Sequence, residues 1–149
     1  MCTGQLISIN IAEKNSAPTR SVPEILARPG MGLVGDRHYD ANPTPENNLV
    51  SLIEIEAITA LRHENDIDLN PADARRNLVT QGIPLNHLVD AEFQIGEVRL
   101  RGVQLCEPCK HLENLTEPGV LSGLIHRGGL LAAIKNEGVI RAGDAIKVL

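Results

Sequence analysis

The sequence predicts a mainly β fold, a barrel-like sheet carrying a few helices. Three observations carry the prediction. Many short, alternating apolar stretches are separated by Gly and Pro breaks. No regular strand–helix alternation of the sort that builds a parallel sheet is present. The C-terminal stretch is apolar and strand-like. With 149 residues, no internal repeat and no linker, residues 1–149 are expected to form one domain with a real core. One Tyr, one Phe and no Trp leave that core to Leu, Ile, Val and Ala.

The elements follow in order. Gln5–Glu13 alternates Leu6 and Ser8 against Ile7, Ile9 and Ile11 and reads as a strand. Ser21–Ala27 is a shorter extended stretch in which Pro23 marks an edge position. Residues 28–38, with three glycines and a proline, are too glycine-rich for a regular element, and Asn42–Glu46 is a loop with two prolines. Asn48–Leu52 reads as a buried strand leading into a helix over Glu54–Glu64, where Ile55, Ile58, Leu61 and Arg62 recur near helical period. Asn70-Pro71-Ala72-Asp73 sets a capping residue before a proline and an acid, so a short helix starts there. From Arg76 onward the reading is mostly strand: Asn77–Thr80, a break at Gly82-Ile83-Pro84, Glu92–Leu105 around Gly96 and Gly102, then Leu130–Lys135. Gly138–Leu149 is expected to be a hairpin-like closing strand. It bends at Gly143-Asp144, and Ile140, Ile146 and Val148 seal the core.

Composition excludes some partners. A net charge of -5 argues against nucleic acid and against an anionic membrane surface, and stacking aromatics are missing. No apolar run approaches the ~18 residues of a spanning helix. Three cysteines, an odd number, and the absence of a signal-like segment point to the cytoplasm, with Cys2 inert.

Four segments carry candidate chemistry. Gly35-Asp36-Arg37-His38 ends the glycine-rich loop, Arg75-Arg76-Asn77 follows the short helix, and His126-Arg127-Gly128-Gly129 lies on a loop. Guanidinium forks match phosphate and carboxylate, and glycine amides approach anions closely. Each Arg–His pair taken alone is more often part of a solvated surface. Their coincidence in an acidic chain predicts that Arg37, His38, Arg75, Arg76 and Arg127 converge on one anion pocket.

The fourth segment is Cys106-Glu107-Pro108-Cys109-Lys110-His111. A neighbouring cation or metal favours a thiolate. Four readings stay open: a structural zinc site from Cys106, Cys109, His111 and His126, a thioredoxin-like dithiol, an inert pair, and a single reactive or metal-ligating thiolate at Cys109. The last fits best, with Cys106 as an accessory.

In this order, GDRH (35–38), ARRNLVTQGIPLNHL (74–88), FQIGEVRLRGVQLCEPCKHL (93–112), HRGGL (126–130) and GVIRAGDAIKVL (138–149) resemble the MOSC domain, the C-terminal module of molybdenum-cofactor sulfurases, in its short stand-alone form. The resemblance spans nearly the whole chain. It implies a β-rich barrel and sulfur or molybdenum-cofactor chemistry. By the family's Pro-Cys pattern, Cys109 is the functional thiol and the ligand of molybdenum where that metal is bound. It further implies that Arg37, His38, Arg75, Arg76, Asn77, His126 and Arg127 line the pocket, with His38 and His126 beside Cys109 as catalytic groups.

Three functional readings follow. The first is cofactor binding, sulfur transfer or carbon–sulfur bond cleavage on a small phosphate- or carboxylate-bearing molecule, with or without the molybdenum cofactor. The second is a non-catalytic cofactor or sulfur carrier, working with a sulfur- or electron-donor protein. The third is a zinc-bearing interaction domain.

Overall fold

The computed structural model describes residues 3–44 and 49–149; Cys2 and the parts of the expected loop and strand at 45–48 lie outside them. Among the described residues there are eleven strands: β1 (Thr3–Ile11), β2 (Arg20–Val22), β3 (Glu24–Arg28), β4 (Gly32–Leu33), β5 (Leu49–Glu54), β6 (Leu78–Gln81), β7 (Glu92–Ile95), β8 (Val98–Leu105), β9 (Leu130–Ile134), β10 (Gly138–Arg141) and β11 (Ala145–Val148). There are also helices α1 (Ile55–Asn65), α2 (Lys110–Leu115) and α3 (Val120–Gly123), and 3-10 turns at Pro71–Ala74, before β6, and Leu85–Leu88, after it.

The strands run β11-β7-β8-β9-β5-β6-β1, and β1 pairs back onto β11 to close a seven-stranded barrel, with β2 added along the far end of β1. A three-stranded sheet, β10-β3-β4, is separate. The mainly β, barrel-like expectation therefore holds. Leu6, Ile9, Leu52, Leu78, Phe93, Ile95, Leu100, Leu130 and Ile146 fill the barrel, all fully buried.

One feature departs from the sequence reading. β5 and β6 are parallel, joined through α1, whereas every other barrel pairing is antiparallel. A parallel pair needs a crossover, and it is buried on both faces. The alternation shows this: Leu52 and Leu78 point into the barrel, while Ile53 and Val79 join Ile58, Leu61, Leu112, Val120 and Leu124 in a second core under the helices. Helix α1 itself lies within a residue of its expected position, although Arg62 is exposed and Ala57 takes the buried role beside Ile58 and Leu61.

Three further differences have local causes. The extended stretch at 21–27 divides at Pro23, so β2 pairs with the barrel strand β1 while β3 pairs with β10. The tail is not a hairpin paired with itself. β10 joins the small sheet and only β11 closes the barrel, between β1 and β7. The bend between them is clamped on β1 by Gly143 N–H to the Leu6 carbonyl at 2.8 Å and Leu6 N–H to the Asp144 carbonyl at 2.9 Å. Helices α2 and α3, of six and four residues, lie between the expected strands, in a stretch to which the sequence reading assigned no element, because segments that short show no resolvable period. Among the described residues, no helix is long and apolar enough to cross a membrane.

Candidate functional site

The site begins with one buried carboxylate. Asp36 follows Gly35, whose φ of +94° turns the chain sharply after β4. Its side chain is 3 % exposed; Oδ1 accepts from Ala12 N–H at 3.1 Å and from Arg37 at 3.4 Å, and Oδ2 accepts from His38 N–H at 3.4 Å. Asp36 thereby pins the loop to the end of β1 and aims the next two side chains. Arg37 also donates to the carbonyl of Arg75 at 3.4 Å, which joins the two basic segments.

The second segment is set by the 3-10 turn. Asn70 caps it, its side chain accepting from Ala72 N–H at 3.0 Å, and Arg75 terminates it in the left-handed region at φ +59°. Arg75 donates to the Ala17 carbonyl at 2.6 Å. Arg76 points the other way, donating from Nε to the Gly128 carbonyl at 2.7 Å and from one terminal nitrogen to the carbonyls of Cys106 and Glu107. Asn77 is buried and welds three strands: its amide donates to the Asn10 carbonyl and accepts from Ser51 N–H and Oγ, while its own N–H donates to Ser51 Oγ at 3.0 Å. Both ends of the Asn77 side chain are engaged by the barrel, and the residue also lines the cleft, as expected of it.

These groups surround one cleft of about 270 Å³, lined by Arg37, His38, Arg75, Arg76 and Asn77 together with Leu49, Ser51, Cys106 and Leu131. A second chamber of about 430 Å³ adjoins it, sharing Arg37, His38 and Arg75 and completed by Asn15, Ser16 and His111. Partial burial, aided by the Arg37 charge, holds the His38 imidazole below its ordinary range, so it is neutral at pH 7 and able to accept a proton. Burial likewise pushes the Cys106 thiol up, against the opposing pull of Arg76.

The remaining predicted residues are placed elsewhere. His126 and Arg127 line a separate cleft with Glu54, Asn86 and His87. Gly128 and Gly129 turn their backbone toward Arg76 and β5, while the preceding side chains are drawn outward by carboxylates distant in sequence. Arg127 pairs with Glu64 at 2.6 Å, and the His126 ring pairs with Glu107 at 3.0 Å. Convergence thus extends to four of the five predicted cations and not to Arg127. Cys109 is exposed at the start of α2, whereas Cys106 forms part of the cleft wall. Among the described residues no three His, Cys, Asp or Glu side chains come together to hold a metal ion, so the zinc set of Cys106, Cys109, His111 and His126 does not assemble. His111 instead contacts Ser16 at 3.3 Å.

Sequence reasoning missed the positioning role of Asp36 and the presence of Ser51 and Ser16 in the clefts. Asp36 had a signal, standing between a glycine and the first arginine; the serines had none.

Comparison with known proteins agrees with this architecture. YuaD from Bacillus subtilis superposes with a TM-score of 0.83 at 16% identity, over 98% of this chain and 95% of that one. YiiM from Geobacillus stearothermophilus gives 0.75 at 13% identity, over 98% and 75%. YiiM from Escherichia coli gives 0.67 at 18%, over 97% and 69%. These likenesses establish the fold. No curated protein sequence matches the chain at a significant level. The family is established by a family model, described as the MOSC domain, which matches residues 37–147. The chain therefore belongs to the MOSC domain family, whose members are associated with molybdenum-cofactor and sulfur chemistry.

Proposed function

We propose that the cleft between Arg37, Arg75 and Arg76 binds a small anionic molecule of the molybdenum-cofactor class. The thiols of the Cys106–Cys109 segment then ligate its metal or handle its sulfur. One observation carries the reading: three guanidinium groups and a thiol line the same cleft, and Asp36 is the sole carboxylate bonded to any of those guanidiniums among the described residues. A cleft that keeps a surplus of positive charge in an acidic chain is suited to an anion.

The donor set fits such a group. Each arginine is held by a few bonds to the protein and keeps other N–H groups for a ligand, which suits a phosphate. A thiolate suits a soft metal or a transferable sulfur atom. When bound, the cofactor would supply a metal centre for atom transfer. The chain itself binds and orients: Asp36 fixes Arg37, and neutral His38 at the rim accepts a proton from the bound molecule. Cys109 is the thiol we assign to sulfur exchange, since it is exposed, with Cys106 facing the ligand. Carbon–sulfur cleavage on a carboxylate-bearing substrate uses the same parts.

The exposure of Cys109 favours a second reading, in which the domain carries sulfur to a partner without catalysis.

The test is elemental and mass analysis of protein purified without a metal-binding tag, alongside Cys106→Ser and Cys109→Ser. Molybdenum lost in either variant supports ligation. A persulfide on Cys109 without metal supports sulfur handling. Protein free of both after purification from molybdenum- and sulfide-replete cells, and binding no phosphate or carboxylate at the cleft, would overturn the proposal.

A further inference from the structure

If the basic cleft binds an anion, as proposed above, its walls also indicate where that anion sits within the ligand. Arg37, His38 and Arg75 belong to the walls of both chambers, one of about 270 Å³ and one of about 430 Å³. They form a cationic waist with room on either side. On the inner side lie Ser51, Asn77, Leu131, Arg76 and the Cys106 thiol. On the outer side the walls are the uncharged polar groups of Asn15 and Ser16 together with His111.

A phosphate at the end of a molecule would fill the waist and leave one chamber to solvent. Either chamber alone is larger than a phosphate, and the two together fall in the ~300–1,000 Å³ range of sites for drug-sized ligands. We propose that the ligand carries its phosphate or diphosphate internally, substituted at both ends. One substituent reaches toward Cys106 and a second, polar one reaches toward Ser16 and His111. Ser16 Oγ and His111 Nε2 contact each other at 3.3 Å, which leaves a further hydrogen-bonding position on the hydroxyl and the Nδ1 of the ring for a hydroxyl-rich substituent.

The charge balance makes a discriminating experiment available. ADP and ADP-ribose share the adenosine and the diphosphate; ADP ends in its phosphate and carries more negative charge, whereas the diphosphate of ADP-ribose is substituted at both ends. Electrostatics alone favours ADP. The two-chamber geometry favours ADP-ribose, and one or two added hydrogen bonds correspond to about tenfold in affinity. Isothermal titration of both probes should show ADP-ribose binding about tenfold more tightly. His111→Ala, an exposed position, should erase most of that advantage and leave ADP unchanged. Arg75→Gln should weaken both probes, with Arg37→Gln as the substitute should Arg75→Gln fail to fold. ADP binding as tightly as ADP-ribose, or an advantage that survives His111→Ala, overturns the internal phosphate while leaving the anion cleft standing. If neither probe binds at millimolar concentration, or neither arginine variant affects binding, the anion cleft falls too.

Discussion

Arg76 donates to the backbone carbonyl of Cys106 at 3.2 Å, and its guanidinium lines the same cleft as the thiol of that residue. The cation is therefore part of the support for the segment bearing the thiols. It also ties Gly128 and Glu107, so three loop carbonyls converge on one side chain.

Lysine at position 76 would keep the charge and lose the planar fork. Arg76→Lys should lower unfolding stability by about 1.5–3 kcal/mol, the range for hydrogen bonds to a charged group, read by urea denaturation. It should also speed alkylation of Cys106 as the cleft wall loosens. Unchanged stability together with an unchanged rate would show that Arg76 does not support this wall.

The two thiols should differ in how readily they are modified. Cys106 is pushed above the ordinary thiol range chiefly by burial, so it is protonated and slow at neutral pH. Its alkylation rate should keep rising about tenfold per pH unit beyond the ordinary thiol pKa of about 8.5. Cys109, exposed, should be modified first, as mass spectrometry of tryptic peptides would reveal. Sulfate should protect Cys106 and leave Cys109 unaffected; equal protection would break the link between the anion and the inner thiol.

Anion binding should also take up a proton at His38. Its folded-state pKa is depressed by partial burial and by Arg37 and Arg75, with Asp36 opposing. The folded protein thus binds fewer protons than the unfolded chain just below the ordinary imidazole pKa, and stability falls as pH drops through that window. A bound anion offsets the arginine charges and raises the pKa, so affinity must increase on acidification. Sulfate, whose charge is constant across the range in which imidazole titrates, is the clean probe. Its affinity should rise on acidification through that range in the parent protein and stay flatter in His38→Gln; equal slopes in the two proteins would remove His38 from the coupling.

How far the sequence led depends on whether a feature is local. Asn70-Pro71 announced the short turn that delivers Arg75, and the Gly-rich loop announced Arg37 and His38, because caps and turns are written in adjacent residues. The barrel's alternation was visible in β8, but in β1 a bulge between Leu6 and Ser8 puts Leu6 and Ile9 in the same core and leaves Ile7 exposed, which simple alternation did not show. The β5–β6 parallel pair was not visible, since it depends on α1 returning the chain alongside a strand and on Ile53 and Val79 facing a second core. Nor could composition show that His126 and Arg127 turn away from the cleft. That outcome is decided by Glu107 and Glu64, partners far away in sequence. Loop cations were readable as a set, but their directions were not.

Two glycines near the site's scaffold separate steric from conformational cost. Gly129 has φ +117°, and a Cβ there would lie 1.9 Å from the Leu52 carbonyl oxygen of β5. Gly143 has φ +95°, and a methyl group there would meet no atom within 4 Å. Gly143→Ala should cost only the left-handed strain, about 1–2 kcal/mol. Gly129→Ala must displace β5 or the loop that receives Arg76, and should give insoluble or unfolded protein. Equal melting temperatures for the two variants would refute the contact.

Closure of the barrel depends on its last strand. β11 pairs with β1 through Thr3↔Lys147 to Gln5↔Ala145 and with β7 through Ile146↔Ile95 to Val148↔Phe93. Ile146 is fully buried, and Val148 packs at the margin of the same core. Removing residues 143–149 would leave β1 and β7 with unpaired edges over an apolar interior, a template for aggregation. Domain stability is only about 5–15 kcal/mol, and a fully buried aliphatic side chain contributes about 1.5–3 kcal/mol before any ladder bond is counted. Truncation after Ala142 should therefore yield insoluble protein. A finer variant keeps the test quantitative: Ile146→Ala preserves both ladders and should cost about 2–5 kcal/mol, read by denaturant unfolding. Ala145 N–H and C=O belong to the ladder whatever the side chain, so Ala145→Ser, on the exposed face, should change stability by less than about 0.5 kcal/mol. A truncated chain that remains soluble with an unaltered melting temperature would mean that the barrel is closed without β11.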